Sequence, residues 1–279
     1  MARTRAQLAR KGRGVNRPAT MARWLAMNSV KIGAFLNGPP AWRPLPAWGW
    51  SRALLVGALI FIAAQALGVG GAMLLGVPGF GTTPADQESG SGAVLMSVLL
   101  LSQVAVSGLT LLAAGASRIG MEGTLGLGAP AGGGATYVLS LLLMVPVLAV
   151  INGLAFIANP TDPFSDLRQF FDIARSPNPL VPALAIGLGA PLSEELLFRG
   201  LLLRPLAATR LGFWPTAVLV CLAWTALHWG YSAVGLAEVF AIGLFLSWVL
   251  WRTGSLRVPI LCHALYNSVL FAVLRYGPF

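Results

Sequence analysis

The chain has 279 residues, of which 56% are hydrophobic and only 10% charged, with a mean hydropathy of +0.75. Soluble domains carry about 25% charged residues, so a water-soluble enzyme, a disordered chain and a disulfide scaffold are all poor descriptions of it. The net charge of +10 sits in one place: residues 1–52 hold ten basic residues and no acid, while the remaining 227 hold nine of each sign.

Residues 1–20 read as an unstructured basic tail. From Met21, the residues Trp24, Leu25, Ile32, Phe35 and Leu36 fall on one helical stripe, the pattern of an interfacial helix. No short apolar core with a small-residue cleavage site follows the basic start, which argues against a cleaved signal peptide. An organellar transit peptide would share the Arg-rich, acid-free character but be richer in Ser. Residues 37–51 form a Pro/Trp linker whose tryptophans suit a headgroup belt. A basic tail ahead of apolar spans points to anionic lipid headgroups as its partner, in preference to nucleic acid.

Seven apolar spans follow, near 53–77, 93–116, 135–158, 179–206, 213–230, 237–251 and 258–274. A straight crossing takes about 20 residues, so the first four are comfortable and the sixth is short. The expected fold is an all-α, polytopic transmembrane bundle, divided into a tail at 1–52, three accessory spans at 53–178 and a four-span core at 179–279. With the tail inside, Arg118, Arg204, Arg210, Arg252 and Arg257 also lie inside, while Asp86, Glu88, Asp162, Asp166 and Asp172 lie outside. That obeys the positive-inside rule and puts the N-terminus in and the C-terminus out. In the 159–178 loop, Phe164, Leu167, Phe171 and Ala174 recur at helical spacing, as in a short amphipathic surface helix. Cys221 and Cys262 lie in apolar runs and pack as small hydrophobes.

Ionisable side chains inside apolar spans are costly and mark functional sites. The fourth span holds Glu194, Glu195 and Arg199, the fifth His228, and the seventh His263 with Asn267. Neighbouring helical residues point about 100° apart, so Glu194 and Glu195 are not expected to face one cavity. Glu195 and Arg199, at i and i+4, suit an ion pair, leaving Glu194 to face the bundle centre. His263 and Asn267 project together, and Trp224 backs His228 one turn away. Pro191 and Ser193 are expected to break the helix and cap its continuation. Each piece also has a structural reading: an ion pair as scaffold, a lone histidine or asparagine as an interhelical link. Counted from level inner ends, His263 lies about 9 Å deep, Glu194 about 15–18 Å and His228 about 22 Å, so the four groups meet only if tilt, prolines or shifted boundaries bring them level.

EELLFR (Glu194 to Arg199), WTALH (Trp224 to His228) and HALYN (His263 to Asn267) resemble, in order, the motifs EExxxR, FxxxH and HxxxN. These belong to the intramembrane proteases of the CAAX-processing and bacteriocin-processing family (CPBP, or Abi). The resemblance covers about residues 180–272, and the departure is Trp224 where the family has Phe. It implies peptide-bond hydrolysis in the bilayer of a plasma membrane, bacterial by the chain's Arg-over-Lys usage. Glu194 and His228 would activate a water, His263 and Asn267 would stabilise the oxyanion, and Glu195 and Arg199 would hold the set in place. The implied substrate is a membrane-associated peptide or protein, of CAAX or bacteriocin-precursor type. Family members are often described as metalloproteases, so Glu194, His228 and His263 with a water would be the zinc ligands. A metal-free glutamate mechanism uses the same residues and is the preferred version. Intramembrane Glu and His also build proton-coupled transporters, although no inverted repeat is visible here. A non-catalytic membrane scaffold or immunity factor is the third reading, and the residues leave oligomeric state open.

Overall fold

The computed structural model describes residues 32–45, 47–77, 84–162 and 165–277. The chain divides into two compact units, Met1–Gly38 and Pro39–Phe279. In the first, residues 32–37 are helical. The rest of the expected interfacial stripe, at Met21, Trp24 and Leu25, lies outside the described residues, as does Phe164 of the amphipathic loop.

The second unit is all-helical among the described residues. Its elements are α1 (Trp50–Leu74), α2 (Pro84–Gly115), the short α3 (Gly120–Leu125), α4 (Gly134–Ala158), α5 (Phe171–Ala174), then α7 (Phe213–Ala226), α8 (Ala233–Thr253) and α9 (Arg257–Tyr276). Between α5 and α7 runs α6 (Leu180–Ala207), a continuous rod of 28 residues. Six of these helices (α1, α2 from Val94, α4, α6, α8, α9) are long and apolar enough to cross a membrane. The fifth expected span is the exception: α7 has 14 residues, about 21 Å against a hydrocarbon core of about 30 Å. It stops at Ala226, so His228 stands in the turn beyond its end. The sixth span, expected to be short, is a full 21-residue helix whose first turn is capped by Ser232 Oγ accepting from Gly235 N. Helix α2 begins at Pro84, well before the apolar run that marks its membrane portion.

Two tryptophans of the Pro/Trp linker pack on protein. Trp42 and Trp48 are buried, Trp42 packs edge-on against Phe213 with centroids 4.9 Å apart, and its amide donates to Trp251 O at 3.1 Å. Trp42 and Trp48, in the segment grouped with the tail by composition, are part of the bundle's core. A large indole is worth more against a helix end than at a lipid surface when its backbone also finds partners there. At the same end the chain is tied down by Leu256 N donating to Gly126 O and by Ala131 N to Thr253 O.

The 159–178 loop forms a 3₁₀ turn, Ser165–Phe170, followed by α5. Leu167, Phe170, Phe171 and Ala174 pack with Phe271 and Leu274 of α9. Arg275 Nη1 donates to Ala174 O at 2.7 Å and Arg175 Nε to Leu274 O at 3.2 Å. The amphipathic pattern is thus satisfied by protein. Outward faces of the long helices remain apolar, as Leu59 and Ile62 of α1, Leu112 of α2 and Val138, Leu142 and Val145 of α4 show. In water such surface would be a liability; together with the six spans it marks a multi-pass integral membrane protein.

Candidate active site

Helix α6 carries the acidic residues, and its backbone is not regular. Ala185–Gly189 and Glu195–Leu202 are π-helical, separated by an α-turn, Ala190–Glu194. Such wide turns cluster at functional sites because they free backbone carbonyls and re-aim side chains. The break expected at Pro191 and Ser193 is absent. Pro191 lies inside the continuous α6, just after the first π-turn, and lacks the N–H that would return a bond to that turn, yet the helix runs on, and Ser193 Oγ donates to Ala190 O at 3.1 Å.

Glu195 and Arg199 pair at 3.0 Å with both side chains fully buried, as their spacing predicts. Arg199 also donates to Gly243 O at 3.3 Å and lies 4.5 Å below the centre of the Trp224 ring. The ion pair is extended by a third member: His263 Nδ1 lies 3.0 Å from the same Glu195 oxygen. A carboxylate only accepts, so Nδ1 carries the proton there. The other nitrogen of the ring, Nε2, is 3.9 Å from Glu194 Oε2. His263 therefore stands between the two acids, one on each side of its ring.

Glu194 keeps 24% of its side chain accessible and accepts a 2.7 Å hydrogen bond from Trp224 Nε1. It lines a cavity of about 1030 Å³, together with His228, His263 and Asn267. Glu195 does not line it, in keeping with the two acids' different directions. In His228, Nδ1 lies 3.2 Å from Trp224 O. A carbonyl only accepts, so the neutral ring carries its proton on Nδ1 and presents the Nε2 lone pair. Its ring is bracketed by Trp224 at 5.3 Å and Tyr231 at 5.4 Å, both edge-on. Asn267 departs from expectation: its Nδ2 donates to Ile186 O at 3.0 Å, bonding a carbonyl of the first π-turn and leaving one amide N–H.

The depth mismatch between Glu194 and His263 disappears because the helix ends are not level. A Cβ on Gly200 would stand 3.0 Å from Leu256 Cδ2, so α9 starts beside Gly200, well short of the end of α6. From that level Glu194 and His263 lie about 9 Å and 10.5 Å up their helices. Likewise Cys221, eight residues into α7, lies 4.0 Å from Arg199 Nη2, which brings Trp224 beside Glu194.

Other groups in the cavity wall are not singled out by the sequence pattern: Gln103 of α2, Asp166 of the 3₁₀ turn, Tyr231, Glu238 of α8 and Tyr266. Glu238 and Gln103 share the signal that exposed Glu194, a polar side chain in an apolar helix. Asp166 had none, being an ordinary loop acid. It holds the turn after α7 in place, accepting from Ser232 N and Ser232 Oγ, each at 2.7 Å. Burial, with Tyr266, Asp166 and Glu194 nearby, pushes the Tyr231 hydroxyl up to about 12, so it stays a neutral donor.

The zinc set of Glu194, His228 and His263 is not assembled in the structure. Among the described residues no three His, Cys, Asp or Glu side chains are placed to hold a metal ion.

Residues 176–269 match the family model described as type II CAAX prenyl endopeptidase Rce1-like. An uncharacterised 24.3 kDa protein of Escherichia coli is 32% identical over 132 residues, which is 47% of this chain and 59% of that protein. The chain thus spans about three fifths of the length of the curated relative it matches. No solved structure matches. Helices α6 to α8 and α9 up to residue 269, with the paired acids, both histidines and Asn267, fall within the matched segment, and residues 176–269 form an Rce1-like domain of the CPBP family.

Proposed function

We propose that the chain is an intramembrane endopeptidase that hydrolyses a peptide bond of a membrane-associated substrate, with Glu194 as the base. The observation that carries this reading is the convergence of Glu194, His228, His263 and Asn267 on one cavity walled by apolar spans. Four polar groups that are costly in lipid share one space with room for water and a peptide.

The chemistry follows from the partners. Water between Glu194 and His228 Nε2 gives its proton to the carboxylate as its oxygen attacks the scissile carbonyl. Trp224 Nε1–H fixes which oxygen of Glu194 is engaged. The oxyanion then receives the second N–H of Asn267 and, when His263 is protonated on both nitrogens, its Nε2–H. Donors aimed in advance at developing charge in a water-poor site are the strongest device available to such an enzyme. Glu195 supports the imidazolium from the other side, held in turn by Arg199. Glu194 passes its proton to the departing nitrogen, the C–N bond breaks, and a carboxylic acid and an amine result. No step requires a metal ion.

The basic tail and the arginines at the Arg204, Arg252 and Arg257 end face the cytoplasm and anionic headgroups in this reading, with the membrane a bacterial plasma membrane. The substrate is a CAAX-type or bacteriocin-precursor-like peptide. The test is cleavage of a quenched peptide with an apolar membrane anchor, in liposomes, by wild type and by His228→Ala, His263→Ala and Asn267→Ala. Loss of at least about 100-fold for either histidine and about 10-fold for Asn267 is expected. Full activity in both histidine variants would overturn the assignment.

A further inference from the structure

Resting on that reading of the cavity, we infer that Tyr231 is a substrate-binding residue whose hydroxyl donates a hydrogen bond to a main-chain carbonyl of the bound peptide, next to the scissile one. Tyr231 lines the cavity and is half-buried. Its hydroxyl bonds no described residue. Unlike the oxygens of Ser102 and Gln103 in the same wall, it is not sealed off. It is an open donor at the cavity wall.

The turn after α7 holds that donor beside the catalytic groups. Tyr231 N donates to His228 O and His228 N to Thr225 O, each at 2.9 Å. The next residue, Ser232, is anchored on Asp166. The Tyr231 ring meets that of His228 edge-on at 5.4 Å. Tyr266, Asp166 and Glu194 are near enough to add to the effect of burial in keeping the phenol protonated. One turn thus carries a ring that presents a lone pair to the water and a ring that presents an O–H, both fixed before substrate arrives.

The ligand class follows from which groups are already engaged. A peptide drawn into a bilayer-embedded cavity for cleavage must be unwound, and each carbonyl it exposes needs a donor. Around Glu194 most donors are spent: Trp224 Nε1 on Glu194 itself, Ser193 Oγ on Ala190 O and His228 Nδ1 on Trp224 O. Asn267 and His263 give what they have left to the oxyanion. Tyr231 remains for a second carbonyl. An anionic acceptor would be repelled, because the wall carries Asp166, Glu194 and Glu238 and, among the described residues, no Lys or Arg. A neutral amide oxygen is the acceptor that fits.

The experiment uses the full chain in liposomes with the anchored peptide, comparing wild type, Tyr231→Phe and Glu194→Gln at pH 7, with melting temperatures of each. Tyr231→Phe deletes an oxygen that has no protein partner, so its melting temperature should stay at that of wild type. Its KM should rise about 10-fold with kcat within about threefold, as for a contact made equally in the ground and transition states. A set of peptides carrying a thioamide, a weak acceptor, at successive non-scissile positions should contain one position that raises KM for wild type and leaves Tyr231→Phe unaffected. Binding of the uncleaved peptide to Glu194→Gln should weaken about 10-fold when Tyr231→Phe is added. An unchanged KM in Tyr231→Phe, a loss confined to kcat, a lowered melting temperature, or no thioamide position that depends on Tyr231 would overturn the proposal. If Glu194→Gln cleaves as well as wild type, or no variant including wild type cleaves, the proteolytic reading itself falls and the role of Tyr231 falls with it.

Discussion

Arg199→Met tests whether the buried triad of Arg199, Glu195 and His263 holds the site together. Arg199 and Glu195 are fully buried and 3.0 Å apart. The guanidinium also bonds Gly243 O and lies under Trp224. Removing it leaves a carboxylate with 0% exposure whose remaining partner is His263, and whose Oε2 already accepts from no described donor. Breaking a buried pair from one side costs about 3–5 kcal/mol, which near 4 kcal/mol is a thousandfold shift in the folding equilibrium. The exposed pair Arg168–Asp162, at 2.9 Å with Arg168 68% accessible, is the internal control: Arg168→Met should cost less than about 1 kcal/mol. Denaturant titration in detergent micelles measures both. The double change Glu195→Gln with Arg199→Met leaves no buried charge and should regain at least half of the loss. An Arg199→Met protein within about 1 kcal/mol of wild type would refute the reasoning, because the triad would then carry no structural load.

Trp224→Phe keeps a ring over Arg199 but deletes the donor to Glu194. Hydrogen bonds to charged groups are worth about 1.5–3 kcal/mol, so cleavage should drop about 10- to 100-fold with the fold intact by circular dichroism. Gly243→Ala places a Cβ 3.0 Å from the Trp224 ring and 3.1 Å from Arg199 Nη2, and should destabilise by about 1–3 kcal/mol through overpacking. Trp42→Ala removes the indole that docks the linker and should cost about 3–5 kcal/mol, against little for the exposed Trp50→Ala. Burial pushes the Tyr231 hydroxyl up to about 12 in the fold, against about 10 in the unfolded chain. Its contribution to stability is complete below about pH 10 and is lost as pH climbs toward 12, because the unfolded chain releases the proton first. Tyr231→Phe should flatten that part of the stability profile in detergent, and an unaltered profile would contradict the burial.

The spans were readable because apolar runs near the bilayer thickness leave few alternatives, and the i, i+4 spacing of Glu195 and Arg199 is enough to forecast their pairing. The irregular parts were not readable. The π-turns of α6 were not forecast: the first stands just before Pro191 and has its Ile186 carbonyl bonded by Asn267, and the second carries Arg199 under Trp224. The short reach of α7 was hidden by Leu227 and Trp229, which continue the apolar run after the helix has ended. That Trp42 packs on Phe213 was not readable, because a sequence does not distinguish lipid from a neighbouring helix end. Gln103 and Glu238 showed the same anomaly as Glu194 but stood alone in their helices, and only the folded chain brings them to a common cavity. The double contact of His263 with both glutamates depends on the offset between α6 and α9, a tertiary fact.

The most direct measurement is turnover of the anchored peptide by Glu194→Gln in liposomes, with its melting temperature recorded alongside. The carboxamide keeps the shape of the side chain and an acceptor for Trp224 Nε1 but cannot take a proton from water. The account predicts a folded protein with cleavage reduced at least about 1000-fold. Cleavage within tenfold of wild type would contradict it.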